Sequence, residues 1–343
     1  MGVDLSDLVA GEKKMVRDFA GQTAAVDAYN TLYQFLAIIR QPDGSPLMDS
    51  KKRVTSHLSG IFHRNLNLIE AGINPIYVFD GPPHRLKAGT IEERSQIKEK
   101  ARVDYAAALV AGDLELARSK AQQTSRLTRE MVEESKTLLK LLGIPWVQAP
   151  SDGEAEAAHL VSIGKAAFVS SQDYDSLLFG APVLVRNLTI TGKRKLPRKQ
   201  IYISIDPERT ELESFLNALA ISRSQLVGMC VLMGTDFNEG IRGIGPKKAL
   251  KLITEHRTLE KVIAAKGYDI PEWQEVVRIF LEPDVSEPGP LVPGEPDVNG
   301  IVDFLVGEHD FSRERVESPL GRLVEILDEK KKAGAQLRLD KWF

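Results

Sequence analysis

The sequence predicts an α/β protein built on a mainly parallel central sheet flanked by helices. Short apolar runs bounded by Gly, Pro, Asn or Asp alternate with stretches of helical periodicity, which is the rhythm of a parallel sheet. Seven acidic residues between positions 27 and 236 also fall where a strand or tight turn should end: Asp27, Asp80, Glu154, Glu156, Asp173, Asp175 and Asp236. A parallel sheet gathers its strand ends along one edge, where ligands bind.

The elements can be assigned in order. Residues 23–28 form a short buried strand, and an amphipathic helix follows through Tyr33, Phe35 and Ile38. Residues 54–71 carry apolar positions at helical spacing; Gly72 stops that helix and NPIYVF continues as a strand. The stretch from about 84 to 122 is helical by propensity but charged nearly all round, with Arg85, Lys87, Glu92, Glu93, Arg94, Lys98, Lys100 and Arg102. A helix without an apolar face is not held by core packing, so this segment should project. A helix at 127–142 ends at Gly143, and short strands near 146–148, 166–169 and 183–186 then alternate with short helices.

From about 207 the pattern turns helical, at 211–220, 222–233, 246–256, 258–265 and 272–281. The Pro- and Gly-rich stretch 282–300 should wrap the surface as a loop. Helices near 297–308 and 318–332 close the fold, and the last ten residues, GAQLRLDKWF, read as a mobile tail. No internal repeat is visible. The expected regions are 1–122 (with the projecting helices at about 84–122), 123–236, 237–333 and the tail 334–343.

Composition narrows the class. With 343 residues, 43% apolar and 27% charged, the chain is an ordinary globular sequence. No apolar run approaches the roughly 20 residues of a membrane span, and no leader is read at the start, so neither membrane insertion nor secretion is expected. MGVDLS fits the loose N-myristoylation pattern through Gly2 and Ser6, but no polybasic second anchor follows. The single cysteine, Cys230, lies in an apolar stretch and cannot form an internal disulfide, which fits an intracellular protein. Net charge is −3, yet Lys51–Arg53, Lys193–Lys195 with Arg198 and Lys199, and Lys247, Lys248 and Lys251 form basic clusters. Such runs are usually solvated faces.

Each acid alone could be a helix N-cap or a solvated turn residue. That reading does not explain why all seven sit at such places. Carboxylates gathered at one sheet edge repel one another unless hard cations neutralise them, so the set predicts divalent metal. The pairs Glu154-x-Glu156 and Asp173-x-Asp175 suit a short turn aiming two side chains at one ion. Mg2+ fits such a partly open oxygen site. The six histidines are dispersed, and no C-x-x-C, Walker A loop or Ser/His/Asp arrangement is apparent. Two carboxylate-held metals are a common device for phosphodiester hydrolysis.

A second signal is GIRGIGPKKA at 240–249. Gly243 and Gly245 permit a tight turn with bare amides, and Pro246 suits the first turn of a helix. Such a hairpin cradles a phosphate without reading bases, helped by Lys247, Lys248 and Lys251. An ordinary helix–helix turn is the competing reading.

VFDGPP at 78–83, GEAEA at 153–157, SSQDYDSLLFG at 170–180 and MGTDF…GIRGIGPKKAL at 233–250 together resemble the structure-specific 5′-nucleases of the xeroderma pigmentosum group G superfamily, nearest its archaeal flap endonucleases. The resemblance covers essentially the whole chain. It implies the α/β core of a PIN-like 5′-nuclease with a helical arch at 84–122 and a helix–two-turn–helix at 240–249 that binds duplex with a K+ ion. It makes the seven acids metal-binding residues for two Mg2+ ions, with Mn2+ able to substitute. Asp80 and Glu156 would hold one ion, Asp173 and Asp175 the other, and Asp27, Glu154 and Asp236 would act largely through water.

The resemblance also places Lys87 and Arg94 as the catalytic basic pair at the base of the arch, on one helix face. Tyr33 becomes the aromatic on which a base stacks, though it could be core. Thr55 lines a pocket for a one-nucleotide 3′ flap, and Gly2, Gly243, Gly245, Lys247 and Lys248 join the DNA contacts. The AAH after Glu156 and a short FNEGIRGIG loop depart from the usual pattern.

The tail Gln336-x-x-Leu339-x-x-Trp342-Phe343 fits a sliding-clamp (PCNA) interaction motif. In a 3-10 turn Leu339 and Trp342 share a face beside Phe343, giving an apolar plug. The expected function is Mg2+-dependent cleavage of 5′ flaps, with 5′–3′ exonuclease activity, in DNA replication and repair. A monomer acting in the cytoplasm and nucleoid of an archaeon is expected. The alternatives are a superfamily nuclease of different junction preference, which the compact arch region disfavours, and a clamp-tethered DNA-binding scaffold with weak catalysis.

Overall fold

The apolar runs TAAVD, NPIYVF and FVS lie side by side as the middle of one sheet because both faces of each are apolar, as strands covered on two sides must be. The computed structural model describes residues 2–190, 192–195 and 202–339. Its strands are β1 (Glu12–Lys13), β2 (Thr23–Asp27), β3 (Asn74–Phe79), β4 (Trp146–Gln148), β5 (Phe168–Ser170), β6 (Val183–Arg186), β7 (Gly192–Lys195), β8 (Tyr202–Ile205) and β9 (Glu208–Glu211). Seven of them form a sheet in the order β1-β9-β6-β5-β2-β3-β4, and β7 and β8 form a separate hairpin.

Every pairing from β4 through β6 is parallel, while β9 and β1 add antiparallel strands at one edge. The sheet is therefore mixed, with a parallel centre. Neither β1 nor β9 was expected, because both are short and polar. Glu208–Glu211 (ERTE) falls where the chain reads as already helical.

The chain runs from β2 outward to β3 and β4, then returns to the opposite side of β2 as β5 and β6. The reversal leaves a crevice at the carboxyl ends of β2 and β5, the usual place for a ligand in such a sheet.

The helices are α1 (Ala28–Ile38), α2 (Ser56–Glu70), α3 (Ala88–Val110), α4 (Leu114–Gln123), α5 (Arg129–Leu141), α6 (Gly153–Ser162), α7 (Asp175–Leu178), α8 (Leu212–Leu219), α9 (Arg223–Met233), α10 (Pro246–His256), α11 (Leu259–Lys266), α12 (Trp273–Leu281), α13 (Val298–Val302) and α14 (Arg313–Leu339). On one face of the sheet Ala25, Ile76, Val78, Val169 and Leu184 meet α6, α7 and the helices from α9 to α12. On the other, Ala24, Val26, Tyr77, Phe79 and Phe168 meet α1, α2, α5, α13 and α14.

The segment expected to project is helical and forms the pair α3 and α4. Its buried side chains are only Ala101 and Ala108 on α3 and Ala117 and Ala121 on α4. Small residues let the two helices approach each other, and Lys120 of α4 pairs with Asp104 of α3 at 2.7 Å. Asp113 caps α4, its side chain accepting from the Leu116 amide at 2.9 Å.

Two expectations near the end of the chain need correction. Where one helix was expected at 297–308, α13 passes into a π-helical turn at Asp303–Glu308. The last helix continues through Leu339, so Gln336 and Leu339 belong to α14 and not to an unstructured tail. Trp342 and Phe343 lie outside the described residues. Among the described residues no single helix is long and apolar enough to cross a membrane; α8 and α9 are apolar together but bent by 77°.

Helices α1 and α2 pack so closely that a Cβ on Gly60 would lie 2.2 Å from the buried ring of Phe35. Gly60→Ala would gain about 1 kcal/mol of helix propensity. Displacing a locked ring costs more, so we expect a net destabilisation of about 1–3 kcal/mol, read by denaturant unfolding. Unchanged or raised stability would show that this contact yields freely.

Candidate metal centre

Strand ends and the turns and helix start beside them bring six of the seven predicted acids together. Asp27 ends β2 and caps α1, its Oδ1 accepting from the Asn30 amide at 3.0 Å while its Oδ2 accepts from Ser171 Oγ at 3.0 Å. Asp80 follows β3 and accepts from the Gly153 amide at 2.6 Å, at the start of α6. A Cβ at Gly153 would sit 2.5 Å from Asp80 Oδ1, and one at Gly81 would meet the Ala149 carbonyl at 2.5 Å. Both positions therefore exclude a side chain, which accounts for DG at 80–81 and DGE at 152–154.

After β5 the chain turns through Ser171–Tyr174. Asp173 accepts from Asn30 Nδ2 at 3.0 Å, and Asp175 accepts from the Val3 amide at 2.7 Å. Glu154 lies 3.4 Å from Ser171 Oγ. Asp236, in the loop after α9, accepts from Arg94 Nη2 at 2.6 Å.

The electrostatics show how tightly these groups crowd. Burial, then the charges of Asp80 and Asp173, push Asp27 up to about 7. Burial with Asp236 and Asp173 raises Asp175 to about 7. Asp80 rises to about 6, burial outweighing the opposing pull of Lys87 and the Gly153 amide. Glu154 is pushed well above the carboxylate range by burial and by Asp175, Asp27 and Asp173. Buried like charges of this kind resist ionisation until a cation stands among them.

Glu156 does not join them. It is fully buried, and both its oxygens are engaged by Ser286, from the amide at 2.8 Å and the hydroxyl at 2.6 Å. The reason is helical geometry. Glu154 and Glu156 both lie inside α6, where residues two apart point roughly 200° apart, so they cannot aim at one ion. In the place of Glu156 the structure brings in Asp152, the extended residue that precedes α6. Asp152 pairs with Lys87 Nζ and adds to the field on Asp80. Asp152-x-Glu154 has the same spacing as Glu154-x-Glu156, so spacing alone could not choose between them; the helix boundary does. The pair Asp173 and Asp175 survives the same test, because Asp173 precedes α7.

The inner face of α3 lies against this cluster. Lys87, just before α3, sits 4.8 Å from the centre of the Phe237 ring. Burial opposes its charge, but Asp152 and Asp80 more than offset that and raise its pKa. Thr90 Oγ1 donates to the Asp236 carbonyl at 2.9 Å, and Lys98 Nζ lies 4.5 Å from the centre of the Tyr33 ring on α1. Tyr33 is thus a partly buried ring beneath Lys98 and not a core residue.

The remaining predicted positions are placed as follows. A Cβ on Gly2 would lie 2.4 Å from the Asp175 carboxyl, so only glycine fits there. Thr55 is buried at the start of α2, its amide donating to the Leu47 carbonyl at 2.8 Å. Gly243 has φ +80° and Gly245 precedes α10, with Pro246 at its first position. Lys248 Nζ reaches the Gly243 carbonyl at 3.5 Å, and Lys247 lies 3.6 Å from Asp7.

Among the described residues no three carboxylate, imidazole or thiol groups already close around a single point. An open set of acceptor-only oxygens suits a hard ion that keeps several waters, as Mg2+ does, better than an all-protein cage. The donor chemistry therefore fits divalent metal.

The model of the XPG N-terminal domain matches residues 2–101, and that of the XPG I-region matches residues 143–236. Flap endonuclease 1 of Staphylothermus marinus is 51% identical over 350 aligned residues, covering all of both chains. The chain belongs to the flap endonuclease family. Flap endonuclease 1 of Aeropyrum pernix is 49% identical, again over the whole of both. The solved structure of flap endonuclease-1 from Methanococcus jannaschii is 40% identical, with a TM-score of 0.77 over 96% of this chain and 100% of its own. The catalytic core of Rad2 in complex with DNA substrate, 23% identical with a TM-score of 0.68, shares the fold.

Asp152 and Glu156 can be separated by experiment. Asp152→Asn should weaken Mn2+ binding, measured by calorimetry, by about tenfold or more. Glu156→Gln, whose amide can still satisfy Ser286, should stay within about twofold of wild type. The opposite ranking would return Glu156 to the metal centre.

Proposed function

We propose that this protein is a divalent-metal-dependent, structure-specific nuclease that cuts 5′ flaps near the junction of single strand and duplex, with 5′–3′ exonuclease activity, in DNA replication and repair. The observation that carries this reading is the convergence of Asp27, Asp80, Asp152, Glu154, Asp173, Asp175 and Asp236 at the sheet edge beneath the cations of α3, in a chain alike from end to end to Flap endonuclease 1. We assign the acidic pair to Asp152 and Glu154 in place of Glu154 and Glu156.

These carboxylates would hold two Mg2+ ions, or Mn2+ in their stead, which supply an activated water and stabilise the leaving oxygen. Lys87 and Arg94 would lend positive charge to the scissile phosphate, since both already stand over the cluster. Tyr33 offers a ring face on which the base beside the cut can stack. The single strand would pass beneath α3 and α4, whose outer charge leaves them free of the core.

Duplex would be held away from the cluster. Bare amides at Gly243 and Gly245 open α10, and Lys247 and Lys248 add sequence-independent contacts to phosphate, with a K+ ion seated in the same turn. Gly2 would border the same DNA, and Thr55 would line a pocket for a one-nucleotide 3′ flap. We assign Gln336, Leu339, Trp342 and Phe343 to a sliding clamp of the PCNA type. The protein would act as a monomer with the nucleoid of an archaeal cell.

With Mg2+, single- and double-flap DNA should be cut well ahead of blunt duplex. Asp175→Asn should lower cleavage by more than about a hundredfold, since even the outer partners of metal ligands are worth 10–100-fold. Its flap binding should stay near wild type. Full cleavage by Asp175→Asn would sink the metal assignment.

Phe343→Ala should leave cleavage of free flap DNA unaltered while weakening clamp binding by one to two orders of magnitude. A buried aromatic contributes about 1.5–3 kcal/mol, and about 1.4 kcal/mol is tenfold. Equal clamp stimulation of both proteins would rule the tail out as the tether.

A further inference from the structure

Arg186, the last residue of β6, belongs to none of the groups assigned above. It reaches from the neighbouring strand over the Ser171–Tyr174 turn that follows β5. Its Nε donates to the Gln172 carbonyl at 3.0 Å, and its Nη1 donates to the Tyr174 hydroxyl. The guanidinium also lies over the Tyr174 ring, 4.3 Å from its centre. One side chain thus grips the residues on either side of Asp173.

The turn is held differently on its inner side. Asn30 and Ser171 bond there to Asp173 and to the amides of Gln172 and Asp173. Arg186 supplies the outer restraint and is itself steadied by Glu208, 3.6 Å away on β9. Asp4 is a further anion in its field.

We propose that Arg186 is a positioning residue for the metal centre: its fork fixes the backbone and ring flanking Asp173, and so aims the carboxylates of Asp173 and Asp175. The inference rests on the metal-dependent nuclease reading and goes beyond it. Only a planar, multi-donor group can reach a carbonyl, a phenol and a ring face together; a lysine keeps the charge but not the fork. Outer partners that orient ligands are typically worth 10–100-fold in metal affinity.

The test compares Arg186→Lys, Tyr174→Phe and Glu208→Gln with wild type. Mn2+ binding is measured by calorimetry, the Mg2+ concentration for half-maximal flap cleavage by titration, and flap affinity without divalent ions by fluorescence anisotropy. Arg186→Lys should weaken Mn2+ binding about tenfold or more, raise the Mg2+ requirement by a similar factor, and leave flap affinity within about twofold. Tyr174→Phe, which keeps the ring, should shift both metal readouts in the same direction by less. Glu208→Gln, which loses only a partner 3.6 Å from the guanidinium, should shift the metal readouts by no more than about twofold.

Full rescue of metal binding by lysine would overturn the proposal, because charge alone would then suffice. Weakened flap affinity with unchanged Mn2+ binding would overturn it as well, making Arg186 a DNA contact. If Arg186→Lys does not fold, wild-type metal affinity in Tyr174→Phe decides against it. Failure of the underlying reading looks different: Asp175→Asn would then bind Mn2+ as wild type does.

Discussion

The structure turns on one costly arrangement, a set of carboxylates held out of water at the ends of parallel strands. Burial and mutual repulsion lift Asp27 and Asp175 to about 7, far above an ordinary carboxylate. Isolated side chains would relieve this by turning to solvent. Here they cannot, because each is fixed by a backbone amide or a short side chain from a different element: Asn30 for Asp27, Gly153 for Asp80, Val3 for Asp175. Hydrogen bonds to the ionised form oppose the burial penalty and keep the groups pointed inward. The strain is stored by the sheet and made useful by whatever cation relieves it.

That constraint explains the glycines around the site. Gly2, Gly81 and Gly153 stand where a Cβ would meet a carboxylate or a carbonyl at 2.4–2.5 Å. They are there for close approach and not for flexibility. It also explains why the basic residues come from α3, a helix with almost no buried side chains of its own, and from the residue before it. A helix that contributes little to the core can shift over the acids without unfolding the sheet.

Much of this was legible in the sequence because the signals were physical ones. The runs TAAVD, NPIYVF and VLVR are apolar on both faces, so they could only be buried strands. Glu12–Lys13 and Glu208–Glu211 were not legible, since edge strands held by backbone pairing need no apolar code. The acidic pair at 152–156 was misplaced for a related reason. DGEAE contains two equally spaced pairs, and choosing between them requires knowing where α6 begins. Arg186 carried no signal at all: its role depends on which strand lies beside β5, and topology is not written in local pattern.

The bond between Glu156 and Ser286 has a wider consequence. It ties α6 to the loop between α12 and α13, and the same loop donates from Gly294 and Asp297 to the carbonyls of Gly143 and Leu141, just after and at the end of α5. Beyond the loop, α13 and α14 complete the layer over α2 and α5. The last third of the chain is thus a girdle around the sheet. Dissection into a nuclease fragment and a separately folding DNA-binding fragment would cut through this girdle, leaving each piece with an apolar face and no cover.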